Sequence, residues 1–267
     1  MKKIINYLVK NQTKLRDKLA ILLFKLNLIP KEFEGRVKSI YLKQKYNKKF
    51  FKKNLVYNNL GFYHLEPMPS SDFLTKYYSE TYWQSRTDKN YPIRLRDLEH
   101  YKILKKKFPN FNNHSKKILN FGAGHGGISF FLHAANHDIC NLDPGGIKEH
   151  FSERWKTYND LSELDIEFDL IYGSHSIEHV QDIKKTLKQF KRLSHKNTIF
   201  FFEVPNCPKN KKISIEPPHT YYFNEDFFKN SFDRIEFCKS FTNYKERNDN
   251  NGDVLVFISQ TGISNNI

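Results

Sequence analysis

The stretch KKILNFGAGHGGISFFLHAANHDICNLDPGG, residues 116–146, constrains the fold more than any other part of the chain. A short apolar segment, Ile118–Phe121, runs into four glycines within six residues. A helix-like run, Ile128–Ala135, follows, and a second apolar segment, Ile139–Leu142, ends on Asp143. Gly122, Gly124 and Gly127 satisfy G-x-G-x-x-G, and Gly122, Gly124 and Gly126 equally satisfy G-x-G-x-G. Glycines at these points let the backbone turn sharply and let its N–H groups approach a ligand closely. The helix that follows would present its positive N-terminal end. Asp143 stands 21 residues after Gly122, where a carboxylate can accept hydrogen bonds from both hydroxyls of an adenosine ribose. The same glycine pattern also serves a tight strand-to-helix turn with no ligand. It does not by itself separate a nicotinamide dinucleotide from S-adenosylmethionine.

The alternation continues. A weak strand is expected near Trp155–Tyr158 and a stronger one over Phe168–Tyr172. A helix over Ile183–Leu193 places Ile183, Leu187, Phe190 and Leu193 on one face, and Thr198–Val204 is apolar throughout except for Glu203. Strand-like and helix-like segments in turn predict an α/β fold, a mostly parallel sheet covered by helices on both faces. Arg234–Phe241 and Asp253–Gln260 read as a closing antiparallel strand pair.

Three regions follow from this reading: a basic helical extension over 1–56, a cap or substrate lid over 57–115, and the α/β domain over 116–267. The extension holds 16 Lys/Arg against 3 Asp/Glu, so it carries +13 of the chain's +15. Helices are expected within 3–29 and over 36–56. A basic tail on a near-neutral body suits a solvated face, or contact with an anionic membrane surface through interleaved leucines and lysines. It could also attract nucleic acid or an acidic partner, although no specific nucleic acid is expected. Leu19–Ile29, interrupted by Lys25, is far short of the roughly 20 residues of a spanning helix. In the cap, Ser70 or Ser71 can start a helix carrying Leu74, Tyr77 and Tyr78. Tyr77, Tyr78, Tyr82 and Trp83 could form an aromatic lid or ordinary core, and Arg94 and Arg96 could meet an anionic acceptor or simply be exposed. Cys140, Cys207 and Cys238 form no cluster, which suits a reducing cytoplasm, and no secretory signal is evident. The expected location is cytoplasmic, with peripheral contact at the inner membrane surface as a further option.

The run FDLIYGSHSIEHVQDIKKTLKQFKRLSHKNTIFFFEVPN, residues 168–206, resembles the second half of a class I S-adenosylmethionine-dependent methyltransferase, and HTYYFNEDFF, residues 219–228, is similar to that family's H-x-x-x-F-[ST] segment. YYSETYW, residues 77–83, resembles the family's helix that closes over the cofactor. The resemblance implies a Rossmann-like, mostly parallel seven-stranded sheet with an antiparallel last strand, preceded by an N-terminal helical extension or cap. It implies that Gly122, Ala123 and Gly124 hold the methionine part of S-adenosylmethionine and that Asp143 binds the ribose. Asp160 and Leu161 would flank the adenine, and Ser174 and His175 would line the sulfonium end. Asn120 stands where the family usually has Asp or Glu; its amide can accept a hydrogen bond but lacks the charge that would favour the ammonium group.

His175, Glu178 and His179 fall at i, i+3 and i+4, so the first turn of a helix would point them to one side. H-x-x-E-H is also an inverted zinc-protease pattern, but here it sits where a strand hands over to a helix at the ligand edge of a parallel sheet. Either His175 or His179 is a general base for the acceptor, or Glu178, His179, His175 and His219 hold a divalent cation, or Glu178 and His179 only cap the helix. Some methyltransferases with a similar E-H pair and a later His do bind a metal. The expected activity is methyl transfer to a small-molecule oxygen. The resemblance to methyltransferases of bacterial capsule or surface-polysaccharide clusters implies a sugar hydroxyl, or a phosphate or phosphoramidate group on a polysaccharide precursor. The alternatives are a nicotinamide-dependent dehydrogenase and a nucleic-acid-binding or -modifying protein that uses the basic tail. The oligomeric state is not legible.

Overall fold

A computed structural model of the chain describes residues 14–29, 31–82, 93–144, 155–209, 212–241, 254–260 and 262–264. Two helices open it, α1 (Lys14–Lys25) and α2 (Lys31–Phe50). A hairpin of β1 (Asn54–Asn58) and β2 (Phe62–Glu66) follows, then α3 (Ser71–Tyr77), which runs on into a π-helical turn over Tyr78–Tyr82, and α4 (Leu95–Lys107). The α/β part comprises β3 (Lys117–Phe121), α5 (Gly127–Ala134), β4 (Asp138–Leu142), β5 (Lys156–Tyr158), β6 (Phe168–Ser174), α6 (Ile183–Arg192) and β7 (Ser194–Pro205). It closes with β8 (Tyr221–Phe223), α7 (Glu225–Ser231), β9 (Ile235–Phe241) and β10 (Val254–Gln260).

The main sheet has seven strands in the order β5-β4-β3-β6-β7-β10-β9. β5, β4, β3, β6 and β7 pair in parallel, and β10 runs antiparallel to both β7 and β9. The expected mostly parallel sheet with an antiparallel last strand is therefore the observed one. Period-2 alternation sorts its two faces. Leu119, Phe121, Ile171, Phe200, Phe202 and Phe257 pack under α6 and α7, while Ile118, Leu170, Phe201, Val256 and Ile258 pack under α4 and α5. The α6 face reads as expected: Asp182 caps its start by accepting from the Lys185 N–H at 2.9 Å, and Ile183, Leu187 and Phe190 are buried.

The expected helix over 36–56 ends at Phe50, and a hairpin begins where its last turn should have been. The local cause lies in the turn. The Asn58 side chain accepts from the Leu60 N–H at 2.8 Å, and Gly61 adopts φ +97° against the backbone of Phe227, where a Cβ would collide. β2 then pairs with β8, making a second, three-stranded sheet of order β1-β2-β8 that no nearby sequence signal announces. Ser70 caps α3 as anticipated.

Chain order makes the strands step outward from β3 to β4 and β5, then cross back to β6 on its other side. The carboxyl end of β3 is therefore a topological switch point, the place where open α/β sheets form their ligand crevice.

Candidate functional site

The glycine loop leaves β3 at this switch point. Gly122, Gly124 and Gly126 all take left-handed backbone, with φ of 68°, 54° and 70°. The N–H groups of Gly122 and Ala123 both donate to the Leu142 carbonyl, at 2.8 and 3.1 Å, which ties the loop to the end of β4. A side chain at Gly122 would strike Ser176, so glycine there is needed for both conformation and space. The Gly124 N–H donates to Asp143 Oδ2 at 2.7 Å. The loop and the acidic residue are thus already locked together, 19 residues apart in sequence.

Both open onto a cavity of about 990 Å³, lined among others by Asn120, Gly122, Ala123, Gly124, Asp143, Asp160, Leu161, Ser174, His175, His179 and His219. That volume stands at the upper end of the usual range for small-molecule sites, room enough for a cofactor and a second molecule together. Asn120 is buried, and its amide nitrogen donates inward to Ser129 Oγ and Asn141 Oδ1, at 2.9 and 3.2 Å. Only its carbonyl oxygen remains to face a ligand. Asp160 caps a short 3-10 turn over Leu161–Glu163: it accepts from the Ser162 hydroxyl and N–H at 2.6 and 2.8 Å, and these bonds hold its carboxyl below the usual range.

The histidine cluster departs from the expected geometry. Ile177–His179 is a single 3-10 turn, not the start of an α-helix, and His175 precedes it with φ 51°. His175 Nε2 lies 2.8 Å from Glu203 Oε1 and its Nδ1 lies 3.3 Å from Glu178 Oε1. Burial would lower this imidazole, but the hydrogen bonds it donates to the two carboxylates, with their charges, outweigh it and raise its pKa. His179 behaves in the opposite way: burial pushes it down to about 3 despite the nearby Glu178 charge, and burial likewise lowers His219. Burial opposes charge on Glu178 too, yet the surrounding imidazoles of His179, His175 and His219 hold it down at about 2. His219 comes from just before β8. Thr220 stitches that segment to the 3-10 turn by donating from its N–H to the Glu178 carbonyl at 2.9 Å and from its hydroxyl to the Val180 carbonyl at 2.6 Å. The rings of His179 and His219 then sit 4.8 Å apart, and one donor atom from each of Glu178, His179 and His219 lies within 4.8 Å of the others.

Beneath His175 runs a network that sequence reasoning missed. Glu203 is fully buried near the carboxyl end of β7. It lies 2.7 Å from His100 Nε2 and 3.6 Å from Arg96 Nη1, both on α4, and it accepts from Ser174 Oγ at 3.3 Å. His100 Nδ1 is 2.7 Å from the Tyr172 hydroxyl. The only signal was one carboxylate in an otherwise apolar strand. Of the aromatic lid residues, Tyr77 is core, packed edge-on to Phe50 at 5.5 Å, whereas Tyr78 lines the cavity and meets the His179 ring edge-on at 6.1 Å. Trp83 and the Tyr82 side chain lie outside the described residues. Arg94 and Arg96 line the cavity together with Lys43 and Lys212.

Residues 94–239 match the family profile of a methyltransferase domain, more than half of the chain. This chain belongs to the methyltransferase-domain family. Among solved structures it is similar to the 1,6-didemethyltoxoflavin-N1-methyltransferase of Burkholderia thailandensis, bound to 1,6-didemethyltoxoflavin and S-adenosylhomocysteine. The identity is 16%, with 78% of this chain and 99% of that chain covered and a TM-score of 0.52. It is also similar to the magnesium protoporphyrin IX methyltransferase of Synechocystis with bound S-adenosylmethionine, at 11% identity, covering 62% of this chain and 80% of that one, with a TM-score of 0.45. None of the curated proteins matches it. At these identities the first likeness speaks for the methyltransferase fold alone, and the match of residues 94–239 carries the family.

Proposed function

We propose that this methyltransferase uses S-adenosylmethionine to methylate an oxygen of a small molecule. The observation that carries the reading is the junction of the left-handed glycine loop with Asp143 at the switch point, opening into the same cavity as His179 and His219. Asp143 spends one lone pair on the Gly124 N–H, and a carboxylate keeps others for the ribose hydroxyls. Gly122, Ala123 and Gly124 offer backbone to the methionine part, the Asn120 carbonyl faces its ammonium, and Asp160 and Leu161 flank the adenine. Ser174 and His175 border the sulfonium. When bound, the sulfonium supplies an already activated methyl group, so the protein's work is alignment, exclusion of water and removal of one proton.

That work divides between the histidines. Both ring nitrogens of His175 are engaged by carboxylates, so it positions Glu178 and does not act as a base. His179, kept unprotonated by burial, takes the acceptor's hydroxyl proton as the oxygen–methyl bond forms, and Glu178 at 3.8 Å offsets the resulting positive charge. A second reading is favoured by one observation: Glu178, His179 and His219 bring two nitrogens and an oxygen together, and Glu178 Oε2 is buried with no hydrogen-bond partner. That donor set suits a divalent cation, which would lower the acceptor's pKa in place of a base. Lys43, Arg94 and Lys212 on the cavity wall fit an acceptor that carries an anionic group, such as a phosphate or phosphoramidate on a sugar precursor of a capsular polysaccharide.

Calorimetry with S-adenosylmethionine, S-adenosylhomocysteine and NAD tests the core of this. Wild type should bind the first two and not NAD, and Asp143→Ala should weaken both by about 10-fold or more, the value of one or two charge-assisted hydrogen bonds. Equal affinity for NAD, or unchanged binding in the variant, refutes it.

A further inference from the structure

Eight large apolar side chains are exposed among the described residues, and four of them fall within ten positions: Leu19, Leu22, Leu26 and Leu28, at 41–57% exposure. At about 100° per residue, Leu19, Leu22 and Leu26 lie within a 60° arc of α1. The helical hydrogen bonding reaches Leu26, whose N–H donates to the Leu22 carbonyl at 3.1 Å. The chain then stops in a left-handed cap at Asn27, φ 55°, with the Leu28 N–H returning to the Leu23 carbonyl at 2.9 Å. The opposite side of α1 is already used: Ala20 and Ile21 are buried, Ala20 packs with Val37 of α2, and Phe24 meets Tyr41 at 6.3 Å. The leucine stripe is therefore not this helix's core-facing side.

Exposed Lys18 and Lys25 border the stripe, about 40–60° round the helix from Leu22. Lys25 Nζ also stands 5.6 Å from the centre of the Tyr41 ring. Over residues 14–50 there are eleven Lys/Arg against three Asp/Glu, a net +8. An apolar stripe edged by lysines on a strongly basic helical pair is the pattern of a helix that lies in a membrane interface. We propose that α1 docks on an anionic phospholipid surface, with Leu19, Leu22, Leu26 and Leu28 entering the acyl boundary and Lys18 and Lys25 reaching the headgroups. Charge decides against the other occupants. A second copy would bring like charge against this one across a symmetric contact, and a nucleic acid would satisfy the lysines while leaving the leucines in water.

Co-sedimentation of the full chain with vesicles tests this. Wild type should bind vesicles containing about a third phosphatidylglycerol, not vesicles of phosphatidylcholine alone, and salt should weaken the binding. Leu19→Ser with Leu22→Ser and Leu26→Ser should lower partitioning by about 10-fold or more. Lys18→Gln with Lys25→Gln should lower it about fivefold per lysine. Both variants should melt with wild type, since these side chains are exposed. If the triple variant fails to fold, the lysine pair decides. Three results overturn the proposal: no binding to anionic vesicles, binding that neither variant weakens, or a wild-type dimer that the leucine substitutions dissociate. Single-stranded RNA that binds more tightly than the vesicles, and independently of the leucines, overturns it as well.

Discussion

Replacing Glu203 by Gln removes one charge and almost no volume. Its carboxylate is fully buried and is shared by His100 at 2.7 Å, His175 at 2.8 Å and Arg96 at 3.6 Å. Burial alone would favour the neutral acid, yet attraction to His100 and hydrogen bonds from both histidines hold its pKa well below the carboxylate range. The amide introduced by Glu203→Gln could still accept one hydrogen bond, but it would leave the Arg96 cation and the His100 and His175 rings without the carboxylate they share. Breaking a buried pair from one side costs about 3–5 kcal/mol, which for a chain of this size is a fall of about 10 °C in melting temperature. The assay is thermal and denaturant unfolding of Glu203→Gln, His100→Gln and the double variant. If the two residues act as one unit, the double variant should be more stable than the sum of the single losses predicts, by about 1–3 kcal/mol. A cost for Glu203→Gln below about 1 kcal/mol, or losses that add within about 0.5 kcal/mol, would refute the account of Glu203 as a shared counter-ion.

Acidification gives a second check. His179 titrates near 3 in the fold and about 6.5 when unfolded, so between pH 6.5 and 4.5 the unfolded chain takes up a proton that the folded chain refuses. Stability should therefore fall with pH in that window, by up to about 1.4 kcal/mol per unit from His179 alone, with His219 and His137 adding in the same sense; His179→Asn should remove about one proton from the measured slope. His175, whose pKa is raised, and Glu178, held near 2, contribute their own slopes above and below this window. For the cation reading, purified protein should hold about one equivalent of a divalent metal by elemental analysis, lose it to a chelator with a drop in melting temperature, and fail to retain it as Glu178→Gln. Undiminished turnover and an unchanged melt after exhaustive chelation would leave His179 as a base acting alone.

The parts of the fold legible in the sequence were those specified by neighbours. Ile118–Phe121, the four glycines and Ile139–Leu142 are local patterns, and their spacing alone put Asp143 opposite the loop, where its carboxylate meets the Gly124 N–H. The β1–β2 hairpin was hidden because β1 is short, half exposed and preceded by lysines, and because β8, the strand that completes its sheet, lies about 160 residues away. The network under the site was hidden for the same reason. Glu203 and His100 are 103 positions apart, and only the oddity of a carboxylate in TIFFFEVP hinted that something waited opposite it. The i, i+3, i+4 pattern of His175, Glu178 and His179 reads as a helix face. The left-handed backbone at His175 instead turns that ring back toward β7, so the three residues meet by a route that spacing does not encode.

That turn separates two histidines that the motif treats as alike. His175 lies between two carboxylates and has a raised pKa, whereas His179 and His219 are half-buried beside one carboxylate and have lowered ones. The separation matters for a donor whose reactive atom is a sulfonium. Two protonated imidazoles on the same wall would repel that cation and could not accept a proton. Two neutral ones, backed by the Glu178 charge, do neither harm. If His179 is the base we propose, the desolvation that makes it so hard to protonate would let one pocket both tolerate a positively charged methyl donor and take the proton its acceptor must lose.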